Sequence, residues 1–138
     1  MAETLTFEIS YLYQDSVEGI AIPVTLVSAN GIYNTWAKVD TGAEVCLFSN
    51  EVGLRLGLDI ERGLPKTLGS TGGTKIESFG HEVMIQTFGI AMVSVIYFAK
   101  YSGITRNLLG RLGWLRNLQL GLRDYDNKLF ISEYAEAE

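Results

Sequence analysis

The chain is poor in residues that would settle its chemistry by composition alone. Its single cysteine, Cys46, cannot form an internal disulfide, so packing must hold the fold, and a reducing compartment is permitted. His81 is the only histidine, and with one cysteine it cannot build a conventional zinc site; no metal and no cofactor is expected. A basic excess is also missing. Eleven Lys and Arg stand against sixteen Asp and Glu, a net charge of -5, which argues against nucleic acid or an anionic membrane as the main partner. The longest apolar run, "GIAMVSVIYFA" at 89–99, is well short of the roughly 20 residues that span a bilayer. The N-terminal "MAETLTFEIS" lacks the basic and apolar regions of a signal peptide, so a cytoplasmic protein is the default expectation. Repeats, low-complexity stretches and Pro/Gly/Ser linkers are absent, and 138 residues suit one domain over 1–138.

What the chain does have is glycine among β-branched runs. Fifteen glycines so placed predict many short strands joined by tight turns. "TLTFEISYLY" alternates through Phe7, Ile9 and Tyr11. "IAIPVTLVSANGIYNTWAKV" predicts two strands about a type I′ turn at Asn30-Gly31. After a Ser49/Asn50 cap, "SNEVGLRLGLD" predicts a short helix, with Glu51 suited to its first turn. "PKTLGSTGGTKIESFGHEVMIQTFGIAMVSVIYF" reads as a run of strands. "ITRNLLGRLGWLRNLQL" places Leu108, Leu109, Leu112 and Leu115 on one helical face from a cap at Asn107. A hairpin turning at 125–127 follows, and 133–138 read as a frayed tail. The fold class is therefore mainly all-β with one or two short helices. Cys46 reads as a small core residue, His81 as a surface hairpin residue, and Trp36 and Trp114 as core or interface packing. The apolar content of 47% is high for a small chain and hints at a further buried surface such as a subunit interface.

One stretch resists this reading. In "WAKVDTGAEVCLFS" a strand runs into Asp40, Thr41 and Gly42, although strands disfavour Asp and Gly. The plain explanation is an Asx-turn in which the Asp40 carboxylate caps its own backbone. Chance alone supplies D-T-G in roughly a few per cent of chains this long, so the tripeptide is weak by itself.

It does not stand by itself. "AKVDTGAE" resembles the active-site segment of retropepsin-like aspartic proteases. "LLGR" (Leu108 to Arg111) resembles that family's second signature, and "PKTLGSTGGTKIE" resembles its flap, the glycine-tipped hairpin that closes over substrate. The order along the chain also fits, and the likeness is strongest over 22–131. An apolar helix ending in L-G-L after the motif is more similar to cellular and bacterial members than to compact viral ones.

The resemblance implies a retropepsin-like acid protease β-barrel with a flap hairpin, acting as a symmetric homodimer that hydrolyses peptide bonds. The chemistry needs two carboxylates that share one proton, one activating water and the other donating to the scissile carbonyl. Like charges about 3 Å apart cannot both ionise, which supplies base and acid together. Asp15, Asp59, Asp124 and Asp126 lack a D-[TS]-G context, and a two-lobed pepsin needs roughly twice this length. The second carboxylate is then Asp40 of another copy. Thr41 is expected to brace the pair and Gly42 to shape the turn. Ala43, Glu44 and the flap tip Gly69, Ser70, Thr71, Gly72 and Gly73 are the implied substrate contacts. Arg111 is implied as structural support through an ion pair with Glu44. Ala43 replaces a hydroxyl residue common in pepsin-like relatives, so activity is expected at mildly rather than strongly acidic pH. Two other readings stay open: a retropepsin-like peptide-binding or dimerisation module with weak catalysis, and an unrelated small β-barrel with Asp40 in a turn.

Overall fold

The computed structural model describes residues 1–69 and 72–134. In chain order the strands are β1 (Ile9–Leu12), β2 (Ala21–Ser28), β3 (Gly31–Val39), β4 (Leu47–Phe48), β5 (Leu64–Gly69), β6 (Lys75–Thr87), β7 (Ile90–Ala99), β8 (Asn107–Leu109), β9 (Leu118–Arg123) and β10 (Lys128–Glu133). Helix α1 (Asn50–Arg55) follows β4, and 3-10 turns lie at Ile60–Arg62, Leu115–Asn117 and Asp124–Asp126. The architecture is all-β, as the glycine and β-branched pattern predicts.

Two sheets form. The larger runs β2-β3-β8-β4-β7-β6-β5, and an additional β2–β6 pairing (Leu26 opposite Ile85) closes six of its strands into a barrel. β5 is left at the outside, paired only with β6. The smaller sheet has the order β1-β10-β9. Alternation along the strands sends Ile22, Val24 and Leu26 of β2, Val83 and Ile85 of β6, and Ile96 and Phe98 of β7 into one core. Tyr13, just after β1, is buried there and donates its hydroxyl hydrogen bond to Asp124, tying β1 to the β9–β10 turn.

Helix α1 starts where the sequence indicates: Ser49 is the N-cap and accepts from Val52 N–H at 3.3 Å. The second expected helix does not form. Residues 107–109 are strand β8, and only the 3-10 turn Leu115–Asn117 remains of the helical pattern. Two glycines explain this. Gly110 lies so close to residues 43–45 that a Cβ there would sit 2.1 Å from the Val45 carbonyl oxygen, and Gly113 has φ +99°. The leucines that mimic a helical face are shared between strand and turn. Trp114, fully buried, donates from Nε1 to Thr87 Oγ1 at 3.1 Å.

Three smaller expectations are also corrected. Ser28 pairs with Gly31, so the first hairpin loop is Ala29-Asn30 and neither residue has positive φ; it is not a type I′ turn at Asn30-Gly31. Gly31 instead opens β3, where a Cβ would come 3.1 Å from the Arg55 carbonyl oxygen. His81 sits in the body of β6, half-buried, its Nε2 2.8 Å from the Ile60 carbonyl oxygen. Glu133, expected to fray, pairs with Leu118, while 135–138 lie outside the described residues. Among the described residues no helix is long and apolar enough to cross a membrane.

Candidate active site

Asp40 follows the last residue of β3. The strand alternates strictly here: Ala37 and Val39 enter the core, while Trp36, Lys38 and Asp40 project from the other face. β8 lies parallel to β3 with Val39 opposite Leu109, and the Asp40 N–H extends the pairing to the Leu109 carbonyl at 2.9 Å. The chain then turns at once. Ala43 N–H donates to the Asp40 carbonyl at 3.2 Å, and Gly42 N–H donates to Asp40 Oδ1 at 3.0 Å. The side chain thus makes the Asx-turn that the plain reading requires. That bond engages one carboxylate oxygen and fixes the direction of the other, so it suits a positioned catalytic group as well as a simple turn.

The loop is clamped from below by the L-L-G-R segment. Arg111 N–H donates to the Ala43 carbonyl at 2.9 Å and Leu112 N–H to the Glu44 carbonyl at 2.8 Å. Val45 and Leu112 form an isolated parallel bridge. Gly110 N–H approaches Cys46 Sγ at 3.3 Å, and Tyr97 N–H donates to the Cys46 carbonyl at 3.0 Å. Cys46 is wholly buried, and desolvation, only partly offset by the Gly110 bond, pushes its thiol up to about 11. It is an inert core residue, as its apolar setting indicates.

Above this clamp the loop is open. Asp40 and Ala43 are half-buried, while Thr41, Gly42 and Glu44 are exposed. Three of the other aspartates have their own side-chain partners among the described residues. Asp59 pairs with Arg62, Asp126 with Arg123, and Asp124 accepts from Tyr13. No group of three or more His, Cys, Asp or Glu among the described residues is arranged to hold a metal ion.

No protein-family model matches the chain, and no curated protein matches it. Solved structures do match. One is the EIAV protease complexed with the inhibitor HBY-793: TM-score 0.53 and 22% identity, over 71% of this chain and 88% of that one. The fold is retropepsin-like. An identity this low speaks for the fold alone, and a fold does not by itself fix an activity.

Within the retropepsin-like fold, the hairpin expected as a flap is the β5–β6 pair, with Gly69 opposite Lys75. β6 pairs with β7 only from Ser78 onward, so the β6 residues 75–77 have β5 as their sole strand neighbour. Gly72 and Gly73 lie in the turn, the latter at φ +80°, whereas Ser70 and Thr71 fall outside the described residues.

The expected Glu44–Arg111 ion pair is not present. Glu44 Oε1 lies 3.1 Å from Lys66 Nζ on β5, and Arg111 has no salt bridge among the described residues. The Arg111 segment supports the loop through its backbone amide instead. Glu44 leaves the loop on the side of the hairpin, so the nearer cation is on β5. Lys66 was not legible as a site residue, because nothing in "LPKTLG" marks which strand neighbour it meets.

Asn107 was also missed as a supporting residue. It is buried, donating from Nδ2 to the Trp36 carbonyl at 2.9 Å and accepting Ser49 N–H at 2.9 Å. Its place immediately before L-L-G-R was the available signal, hidden by the helical reading.

Proposed function

We propose that this chain is one half of a homodimeric aspartic endopeptidase of the retropepsin-like family, nearer its cellular and bacterial members than its compact viral ones. The observation that carries the reading is Asp40 itself. It stands at the end of a core strand, with one oxygen held by Gly42 N–H, on a loop clamped by the L-L-G-R segment and open on its outer side. A second copy related by a two-fold axis would bring the same loop, and the same carboxylate, to the opposite side of a peptide. The two Asp40 groups then share a proton. The charged one takes a proton from water, and the neutral one donates to the scissile carbonyl as the tetrahedral centre forms. The reaction needs neither a covalent intermediate nor a metal.

The remaining residues have supporting parts. Exposed Thr41 is available to bond across the two-fold axis and brace the paired loops. Ala43 and Glu44 contact the peptide main chain and side chains next to the carboxylates. The β5–β6 hairpin, with Gly69, Gly72 and Gly73 at its end, covers an extended substrate and offers it backbone amides.

Asp40→Asn is the decisive variant, because Asn keeps an oxygen to accept Gly42 N–H and removes the titrating group. Cleavage of a peptide mixture between about pH 4 and 7, together with sedimentation, separates the outcomes. Wild type is expected to cut and to sediment as a dimer, with Asp40→Asn dimeric and inactive. Cleavage by the variant overturns the assignment of Asp40. A dimer that binds peptides and never cuts them leaves the binding-module reading in its place.

A further inference from the structure

Beside the Asp40 loop a groove of about 820 Å³ opens along β3, its wall including Tyr11, Leu12, Trp36, Lys38, Ile104 and Arg106. Asp40 does not line it, but Lys38 does, two residues earlier and on the same face of the strand, roughly 7 Å away at the backbone. Asp40 thus stands just past the end of the groove.

The charges in that wall are unevenly matched. Arg106 donates to the Glu18 main-chain carbonyl at 2.9 Å and lies 3.8 Å from the Glu18 carboxylate, so each answers the other. Glu51 lies exposed on the first turn of α1, where the free helix amides favour an acid. Lys38 has no salt bridge among the described residues. Its stem is laid against Gly19, where a Cβ would come within 2.7 Å of Lys38 Cε, and Gly19 is held at φ +113°. A half-buried lysine is therefore seated by a glycine that leaves its stem room, beside apolar and aromatic walls, on the strand that delivers Asp40.

We propose that Lys38 is a specificity-determining residue that selects an acidic side chain near the bond that is cut. The proposal rests on the protease reading above and names its substrate class: peptides with Glu or Asp close to the scissile bond, on either side of it in a symmetric dimer. An ammonium without a salt-bridge partner among the described residues gains most from a carboxylate where water is excluded. A lysine in the same substrate position meets like charge and is rejected.

The test uses matched peptides carrying Glu, Gln or Lys at each of the three positions on either side of a cleaved bond. For wild type, kcat/KM at one or more of these positions is expected to be about tenfold higher with Glu than with Gln, and lowest with Lys. Lys38→Glu inverts that order, and Lys38→Met, which keeps the apolar stem, levels Glu with Gln. The same order of peptides in wild type and both variants overturns the proposal. Binding of the same peptides to Asp40→Asn, read by fluorescence anisotropy, keeps the two readings apart. A Glu-over-Lys preference lost in Asp40→Asn/Lys38→Glu supports the role of Lys38 even if wild type cuts nothing. Cleavage without any charge preference removes Lys38 and leaves the protease standing. Failure of every peptide to bind or be cut overturns both.

Discussion

The loop at 40–44 and the tip of the β5–β6 hairpin are both glycine-containing turns, yet their surroundings are opposite. The loop is held at the backbone by Leu109, Arg111 and Leu112, and Gly110 beneath it has no room for a methyl group. In the hairpin, a Cβ built on Gly69, Gly72 or Gly73 meets none of the described residues within 4 Å. Among the described residues one ion pair, Glu44 with Lys66, joins the loop to the hairpin arm. The same residue type therefore does different work in the two places. Under the loop glycine permits close approach; in the hairpin it borders open space among the described residues. A site that must hold a carboxylate to a fraction of an ångström and also admit a peptide needs both.

The sharpest way to break the contrast is Gly110→Ala. Its Cβ would collide with main-chain oxygens of Val45 and Ala43, and backbone cannot rotate away as a side chain can. The expected loss is at least about 3 kcal/mol of stability, measured by denaturant unfolding; a change under about 1 kcal/mol would show that the loop is not clamped. Cys46, in the same clamp, comes next. With its thiol buried and pushed up to about 11, alkylation at mildly alkaline pH is expected to be at least about 10³-fold slower in the native protein than in denaturant. Ready labelling of the native protein would mean that the clamp opens.

The ion pair should matter much less. Glu44 and Lys66 are both partly exposed, so Glu44→Gln or Lys66→Gln is expected to cost no more than about 1 kcal/mol and to be masked by salt. The charge-swapped double variant would recover the loss if the pair acts directly, and a double-mutant cycle measures this. Gly72→Ala sits at the small end. The site is open among the described residues, so stability should move by less than about 1 kcal/mol in either sign. Its effect on peptide turnover is set against that of Gly110→Ala on folding, and the pair of measurements separates the hairpin's part from that of the clamped loop.

The parts legible in the sequence were those written in local chemistry. Ser49 caps α1 where a capping residue precedes an apolar helix, Asp40 ends a strand where D-T-G interrupts one, and the hairpin arms flank the glycine cluster. The parts that were not legible depend on tertiary contact. The leucines of 108–115 have helical spacing, and only the approach of residues 43–45 to Gly110 shows why they divide between strand and turn. The partner of Glu44 depended on which strand lay nearer the loop; the resemblance implied Arg111, and nothing local in the sequence points to Lys66. Nothing in the sequence marks Lys38, since a lysine on a strand is ordinary; only the groove and Gly19 beside it distinguish this one.

Subunit mixing tests most directly the claim that Asp40 is half of a site. Wild-type protein is held at fixed concentration and allowed to exchange subunits with a ninefold excess of Asp40→Asn. If cleavage needs one Asp40 from each of two chains, random pairing leaves about one in ten of the wild-type chains with a wild-type partner, and activity is expected to fall to about a tenth. Activity unchanged by the excess, with exchange verified by mass-tagged subunits, would mean that each chain works alone and would contradict the account.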